Sequence, residues 1–130
     1  VQGPTFDTAA THDRVVVVDF FAAYCRPCQK SLPVLQRLVR ENRGVTVVGV
    51  SLDDDPAAAR LQIVRHGLTF PVIHDRARSL AGRFRVVDIP ASFVVDRGGR
   101  IAWVAGPQHA AEAVAQAVAS MGKDGPEEQQ

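Results

Sequence analysis

The chain has 130 residues, 46% of them apolar, and a formal charge of +1. One domain of this size buries roughly two-thirds of the surface its unfolded chain exposes, so neither a metal nor a disulfide framework is needed to hold a core. The scattered charges give no field for capturing nucleic acid or acidic lipid, and no stretch approaches the ~20 apolar residues of a membrane span.

Residues 14–22, RVVVVDFFA, form a β-branched and aromatic run broken by one acid, Asp19. Such a run predicts a strand buried on both faces of a sheet. From Pro27 the period changes. Leu32, Leu35, Leu38 and Val39 fall on one face, with Lys30, Arg37, Arg40 and Glu41 elsewhere, which predicts an amphipathic helix ending at Asn42-Arg43-Gly44. VTVVGVSL (45–52) predicts a second buried strand. Asp55-Pro56 reads as an N-cap followed by proline at the first helical position, opening a helix that stops at Gly67. FPVIHD (70–75) predicts a short strand and ARSLAGRF (77–84) a short helix. ASFVVD and RIAWVAG flank Arg97-Gly98-Gly99, the pattern of an antiparallel hairpin. Pro107 opens a last predicted helix, QHAAEAVAQAVASM, with Val114, Val118 and Met121 as its buried stripe.

The order β-α-β-α-β-α-β-β-α predicts an α/β fold with a mixed central sheet. Its core is parallel, its C-terminal hairpin antiparallel, and helices cover both faces. The expected domain spans residues 1–122, and the apolar-free KDGPEEQQ (123–130) reads as a flexible tail. VQGPTF lacks the regions of a signal peptide and does not begin with Met, so processed and unprocessed chains are both compatible with it.

Cys25 and Cys28 are the only cysteines, and they stand where the first strand gives way to a helix. Three uses are open to such a pair. As a staple it closes too short a loop to add much stability. As a zinc site it lacks ligands, since His12, His66, His74 and His109 show no ligand spacing. As a redox pair it is well placed, because the helix N-terminus and Arg26 favour a thiolate at Cys25. Cys28, one turn on, falls on the same helical face and deeper. The positions predict that Cys25 attacks and Cys28 resolves. Trp103 reads as core or edge packing, and the histidines as surface residues.

VVDFFAAYCRPC resembles the thioredoxin active-site segment, and Pro33 matches the proline of that family's active-site helix. VVDIPASFVVDRGGRIAWVAG resembles the family's cis-proline strand and hairpin. VVGVSLDDDPAAARLQIVRHGLTFPVIHD resembles the αβ insertion of the TlpA/ResA-type branch. The chain is therefore identified as similar to TlpA/ResA-type thiol–disulfide oxidoreductases of the thioredoxin-like superfamily, over residues 14–121. Tyr24 replaces the usual Trp, Phe21 stands where Trp is frequent, and Ala91 replaces Thr. Tyr24 and Phe21 are expected to keep an aromatic cover over the site. TFDT near the N-terminus is thioredoxin-like, whereas the hairpin usual in the TlpA branch is not evident.

The resemblance implies a thioredoxin fold and a cis Ile89-Pro90 bond, with Pro90 packed on the disulfide and Ile89 pairing with an extended substrate. Asp19 corresponds to the buried aspartate that assists proton transfer at the resolving cysteine. A carboxylate among valines should have a raised pKa, unless it reaches solvent at a strand end. Asp54 matches an acidic residue near the cysteines of ResA-like proteins, although Asp53, Asp54 and Asp55 also read as a helix-start cluster.

The implied activity is disulfide exchange with protein substrates, as a reductant reset by an external thiol donor. Tyr24, Arg26 and Pro27 would join Ile89 in contacting substrate. No organic cofactor or metal is expected, and the protein is expected to act as a monomer outside the cytoplasm, with a cytoplasmic setting left open. Two alternatives compete. A peroxiredoxin-like peroxidase usually has a P-x-x-x-T/S-x-x-C arrangement, but Ala22 fills the Thr position here. A non-catalytic redox adaptor or metallochaperone would use the thiols as a two-ligand site.

Overall fold

A computed structural model describes residues 13–121. The expected tail, the TFDT segment and His12 lie outside these residues. Strand β1 (Val15–Phe21) is buried at all seven positions. Its alternating side chains feed two cores: Val15, Val17 and Phe21 on one face of the sheet, Val16, Val18 and Phe20 on the other.

Helix α1 (Cys28–Glu41) follows, then β2 (Val45–Ser51), α2 (Pro56–His66), β3 (Val72–His74), α3 (Ser79–Arg83), β4 (Ala91–Val95), β5 (Ile101–Ala105) and α4 (Ala113–Ala119). The five strands lie in the order β3-β2-β1-β4-β5. β1, β2 and β3 are parallel, while β4 runs antiparallel to both β1 and β5. The mixed sheet and edge hairpin expected from the sequence are thus present, with α2 and β3 adding a strand beyond β2.

On one face, Leu32, Leu35 and Leu38 of α1 pack with Val114 and Val118 of α4, and both cysteines belong to this cluster. On the other, Leu80 and Ala81 of α3 close over an aromatic trio. Phe84 and Phe93 lie with ring centroids 4.9 Å apart, and Phe20 is 5.3 Å from Phe84. The local signals operate as expected at α2: Asp55 accepts the Ala57 N–H, Pro56 opens the helix, and Gly67 ends it at φ 61°. In the hairpin, Asp96 Oδ1 accepts the Gly98 and Arg100 N–H groups, and Gly99 takes φ 86°.

The last helix departs from expectation. It begins at Ala113, not at Pro107. The Gly106 N–H donates to His109 Nδ1 and the His109 N–H to the Gly106 carbonyl, both at 3.1 Å. The His109 ring also packs edge-on against Trp103. These contacts stabilise a turn where periodicity alone would extend the helix, and Met121 ends only half-buried.

Candidate active site

After β1 the chain turns at Ala22, whose carbonyl accepts the Cys25 N–H at 3.1 Å. Cys25 and Cys28 form a disulfide, with their Cα atoms 5.3 Å apart. Cys28 opens α1, where the first N–H groups have no intrahelical acceptor. One of them, the Cys28 N–H, points at Cys25 Sγ, 3.3 Å away. The helix N-terminus therefore acts on the first sulfur directly, and not only through its macrodipole. Cys28 is fully buried, whereas Cys25 retains 7% exposure.

Tyr24 is 73% exposed, and Arg26 and Pro27, the neighbours of Cys25 in sequence, are also at the surface. Phe21 is fully buried, in the core cluster that contains both cysteines. Of the two aromatic residues, one is thus in the core and the other at the surface. From α1, Gln29 Nε2 donates to the Cys25 carbonyl at 3.4 Å, and Gln29 Oε1 lies 2.7 Å from His66 Nε2. Pro33 sits inside α1 without ending it.

Asp19 is fully buried. Strand alternation places it between Val17 and Phe21, on the face that carries both cysteines. Burial drives its pKa up to about 7, against a smaller opposing effect of the Ser92 hydroxyl bonded to it. It does not reach solvent at the strand end.

The Ile89–Pro90 bond is cis. Ile89 packs against the cluster that contains Cys25 and Cys28. Pro90 and Pro27 line one cleft of about 240 Å³, together with Lys30, Ser31, Ser92 and His109. The fold thus brings the helix start, the cis-proline loop and the β5–α4 turn to one end of the sheet.

Asp54 follows β2 in the loop before α2. It is exposed, and the acid that turns inward is its neighbour Asp53, 4% exposed. The reason is hydrogen bonding. Asp53 accepts the Ala23 N–H and the Ser51 hydroxyl, and its own N–H donates back to Ser51 Oγ. The Ser-x-Asp spacing after a strand is a readable sign of such a turn. Ser92 and His109 carried no sign of their own, because their roles depend on the register of β4 and on a tertiary turn. His74 also proves to be tied in, with Nε2 2.7 Å from the Asp53 carbonyl.

Among the described residues, no group of three or more His, Cys, Asp or Glu could hold a metal ion, and no helix is long and apolar enough to cross a membrane. The sheet order, the cis-proline and the helix-initiating CxxC disulfide define a thioredoxin-fold protein with a dithiol–disulfide site. The chain belongs to the AhpC/TSA family, whose model matches residues 1–104. It is 25% identical over 103 residues to the thiol-disulfide oxidoreductase ResA of Bacillus anthracis, covering 78% of this chain and 60% of that relative. It therefore spans less than two-thirds of that relative's length.

Two solved structures cover nearly the whole chain. A secreted Mycobacterium tuberculosis disulfide oxidoreductase homologous to E. coli DsbE superposes with a TM-score of 0.80 at 25% identity, covering 88% of this chain and 87% of its own. A thiol-disulfide isomerase from Corynebacterium glutamicum gives a TM-score of 0.79 at 25% identity, covering 92% and 88%.

Proposed function

We propose that the protein is a thiol–disulfide oxidoreductase that reduces disulfides in protein substrates. The observation that carries this reading is the Cys28 N–H held against Cys25 Sγ at the start of α1, with Cys28 itself fully buried. In the reduced protein that N–H favours a thiolate on Cys25. Cys25 attacks a substrate disulfide, forming one S–S bond as the substrate's breaks and one substrate sulfur leaves as thiolate. Cys28 then gives up its proton to Asp19 and attacks Cys25, releasing the second substrate thiolate and leaving the Cys25–Cys28 disulfide. An external thiol donor returns two electrons.

Asp19 suits the proton-accepting role because its pKa near 7 lets it take or release a proton around neutral pH. An extended substrate is proposed to lie along Ile89 and Pro90, with Tyr24, Arg26 and Pro27 as further contacts. The half-buried state of Ile89 and Pro90 and the exposure of the other three support that arrangement. Asp54 has no place in this scheme. Ala22 offers no hydroxyl beside Cys25, which weighs against peroxidase chemistry. Work outside the cytoplasm is proposed from the likeness to the secreted mycobacterial oxidoreductase.

Reduction of insulin disulfides with dithiothreitol, compared with the Cys25→Ser variant, tests the activity. Equilibration in glutathione and dithiothreitol buffers tests the direction. A potential of about −270 mV marks a reductant, and one of about −120 mV would mark an oxidant and sink the proposed direction. A Cys25→Ser variant with full activity would sink the mechanism.

A further inference from the structure

Asp19 has one hydrogen-bond partner, and that partner also reaches the cleft. The Ser92 hydroxyl donates to Asp19 Oδ1 at 2.6 Å, while Oδ2 is buried with no partner. Ser92 stands directly opposite Asp19 in the β1–β4 register, two residues beyond cis Pro90, and it is one of the residues that line the cleft. A hydroxyl has a single proton to give. Committed to Oδ1, it leaves Oδ2 as the position where a proton can be added without breaking the existing bond.

We propose that Ser92 is the positioning residue for Asp19: its donated hydrogen bond stabilises the carboxylate and reserves Oδ2 for the proton released by Cys28. The inference rests on Asp19 serving as the base for Cys28. In the resolving step the Cys28 S–H proton passes to Oδ2, the sulfur's electron pair forms the bond to Cys25, and the Cys25–substrate bond breaks onto the departing thiolate.

The surrounding groups leave this assignment to Ser92. From α1, Cys28 shares the face of Asp19, and Lys30 lines the cleft. His109 lines the cleft from the β5–α4 turn. Opposite Asp19, β2 presents Gly49 and β4 presents Ser92, neither of which titrates. Glu112 before α4 is bonded to Arg37, and Asp53 beyond β2 to Ala23 and Ser51.

The test uses the reduced protein and 5,5′-dithiobis(2-nitrobenzoate), which releases one thionitrobenzoate as Cys25 attacks and a second as Cys28 resolves. The rate of the second release is followed from acid to alkaline pH. Ser92→Ala should move its rising limb to higher pH by about one to two pH units, the size of a lost hydrogen bond to a charged group. Ser92→Thr, which keeps the hydroxyl, should leave the limb where it is in the wild type. Asp19→Asn should remove the limb near neutral pH and leave only the more alkaline rise that follows ionisation of the Cys28 thiol itself, and adding Ser92→Ala to it should then shift nothing.

A limb unmoved in Ser92→Ala but lost in Asp19→Asn overturns the role of Ser92 and leaves the Asp19 reading intact. Threonine behaving like alanine overturns it as well, because packing and not the hydroxyl would then be the cause. A limb that stays at its wild-type pH in Asp19→Asn overturns both readings.

Discussion

The two carboxylate oxygens of Asp53 both accept the backbone N–H of Ala23, at 2.9 and 3.1 Å, two residues before Cys25. This bond ties the loop that carries Cys25 to the end of β2. Asp53 also accepts the Ser51 hydroxyl at 2.9 Å, so its removal strands two donors, one of them on a buried side chain. Asp53→Ala is expected to cost about 1–3 kcal/mol of stability and to slow disulfide exchange by loosening the loop. Asp53→Asn, which keeps one acceptor oxygen, should lose less of both. Asp54→Ala, at an exposed position, should stay within about 0.5 kcal/mol of wild type. Chemical denaturation and insulin reduction on the three variants separate the neighbours. Equal losses at 53 and 54 would contradict the structure.

Asp19 makes stability depend on pH in an unusual direction for a carboxylate. Its pKa is about 7 in the folded protein against an ordinary 3.8. Below the lower value both folded and unfolded states hold the proton, and Asp19 contributes nothing. Between the two values only the folded state holds it, so stability falls as pH rises. Above about 7 the full penalty is present, on the order of 4 kcal/mol. Asp19→Asn removes the titration. The stabilities of variant and wild type should therefore converge in acid and separate toward alkaline pH, with the variant the more stable. Parallel curves across that range would show that Asp19 is not titrating as a buried acid.

What the sequence made legible follows the range of the interactions. β1 could be read because seven buried residues in a row leave no alternative to a central strand. The ends of α2 could be read because Asp55, Pro56 and Gly67 act on their own backbone neighbours. The unequal burial of the two cysteines could be read because helix polarity and depth follow from position at a strand–helix junction. Ser92 could not, since its importance lies in facing Asp19 across 73 residues of chain. The choice between Asp53 and Asp54 turned on a donor 30 residues away, the Ala23 N–H. The early start assigned to the last helix failed for a similar reason. Its alanine-rich pattern is helical, but the bond between Gly106 and His109 and the contact with Trp103 hold residues 106–109 in a turn.

Gly49 lies opposite Asp19 in the β1–β2 register, and its lack of a side chain is structural. A Cβ there would sit 3.0 Å from Phe70 Cε1 and 3.1 Å from Phe21 Cε1. Both rings belong to the core on the cysteine side, and Phe21 is fully buried. Gly49→Ala should therefore destabilise by about 1–3 kcal/mol through overpacking. The thermal midpoint should fall accordingly. A neutral or stabilising result would mean that the rings shift without cost, against the close packing expected of this core.

The unequal exposure of the cysteines leads to unequal variants. Cys25 keeps some surface and the Cys28 N–H beside its sulfur, while Cys28 is enclosed by α1 and the sheet. Cys28→Ser retains the attacking thiolate but nothing to displace the substrate, so a mixed disulfide through Cys25 should accumulate. Cys25→Ser leaves a thiol without access, and insulin reduction should fall to the dithiothreitol background. Intact-mass spectrometry after mixing each reduced variant with a disulfide peptide checks both outcomes. An adduct one half-peptide heavier is expected for Cys28→Ser and not for Cys25→Ser. The opposite pattern would exchange the roles of the two sulfurs and require Cys28 to become exposed before reaction.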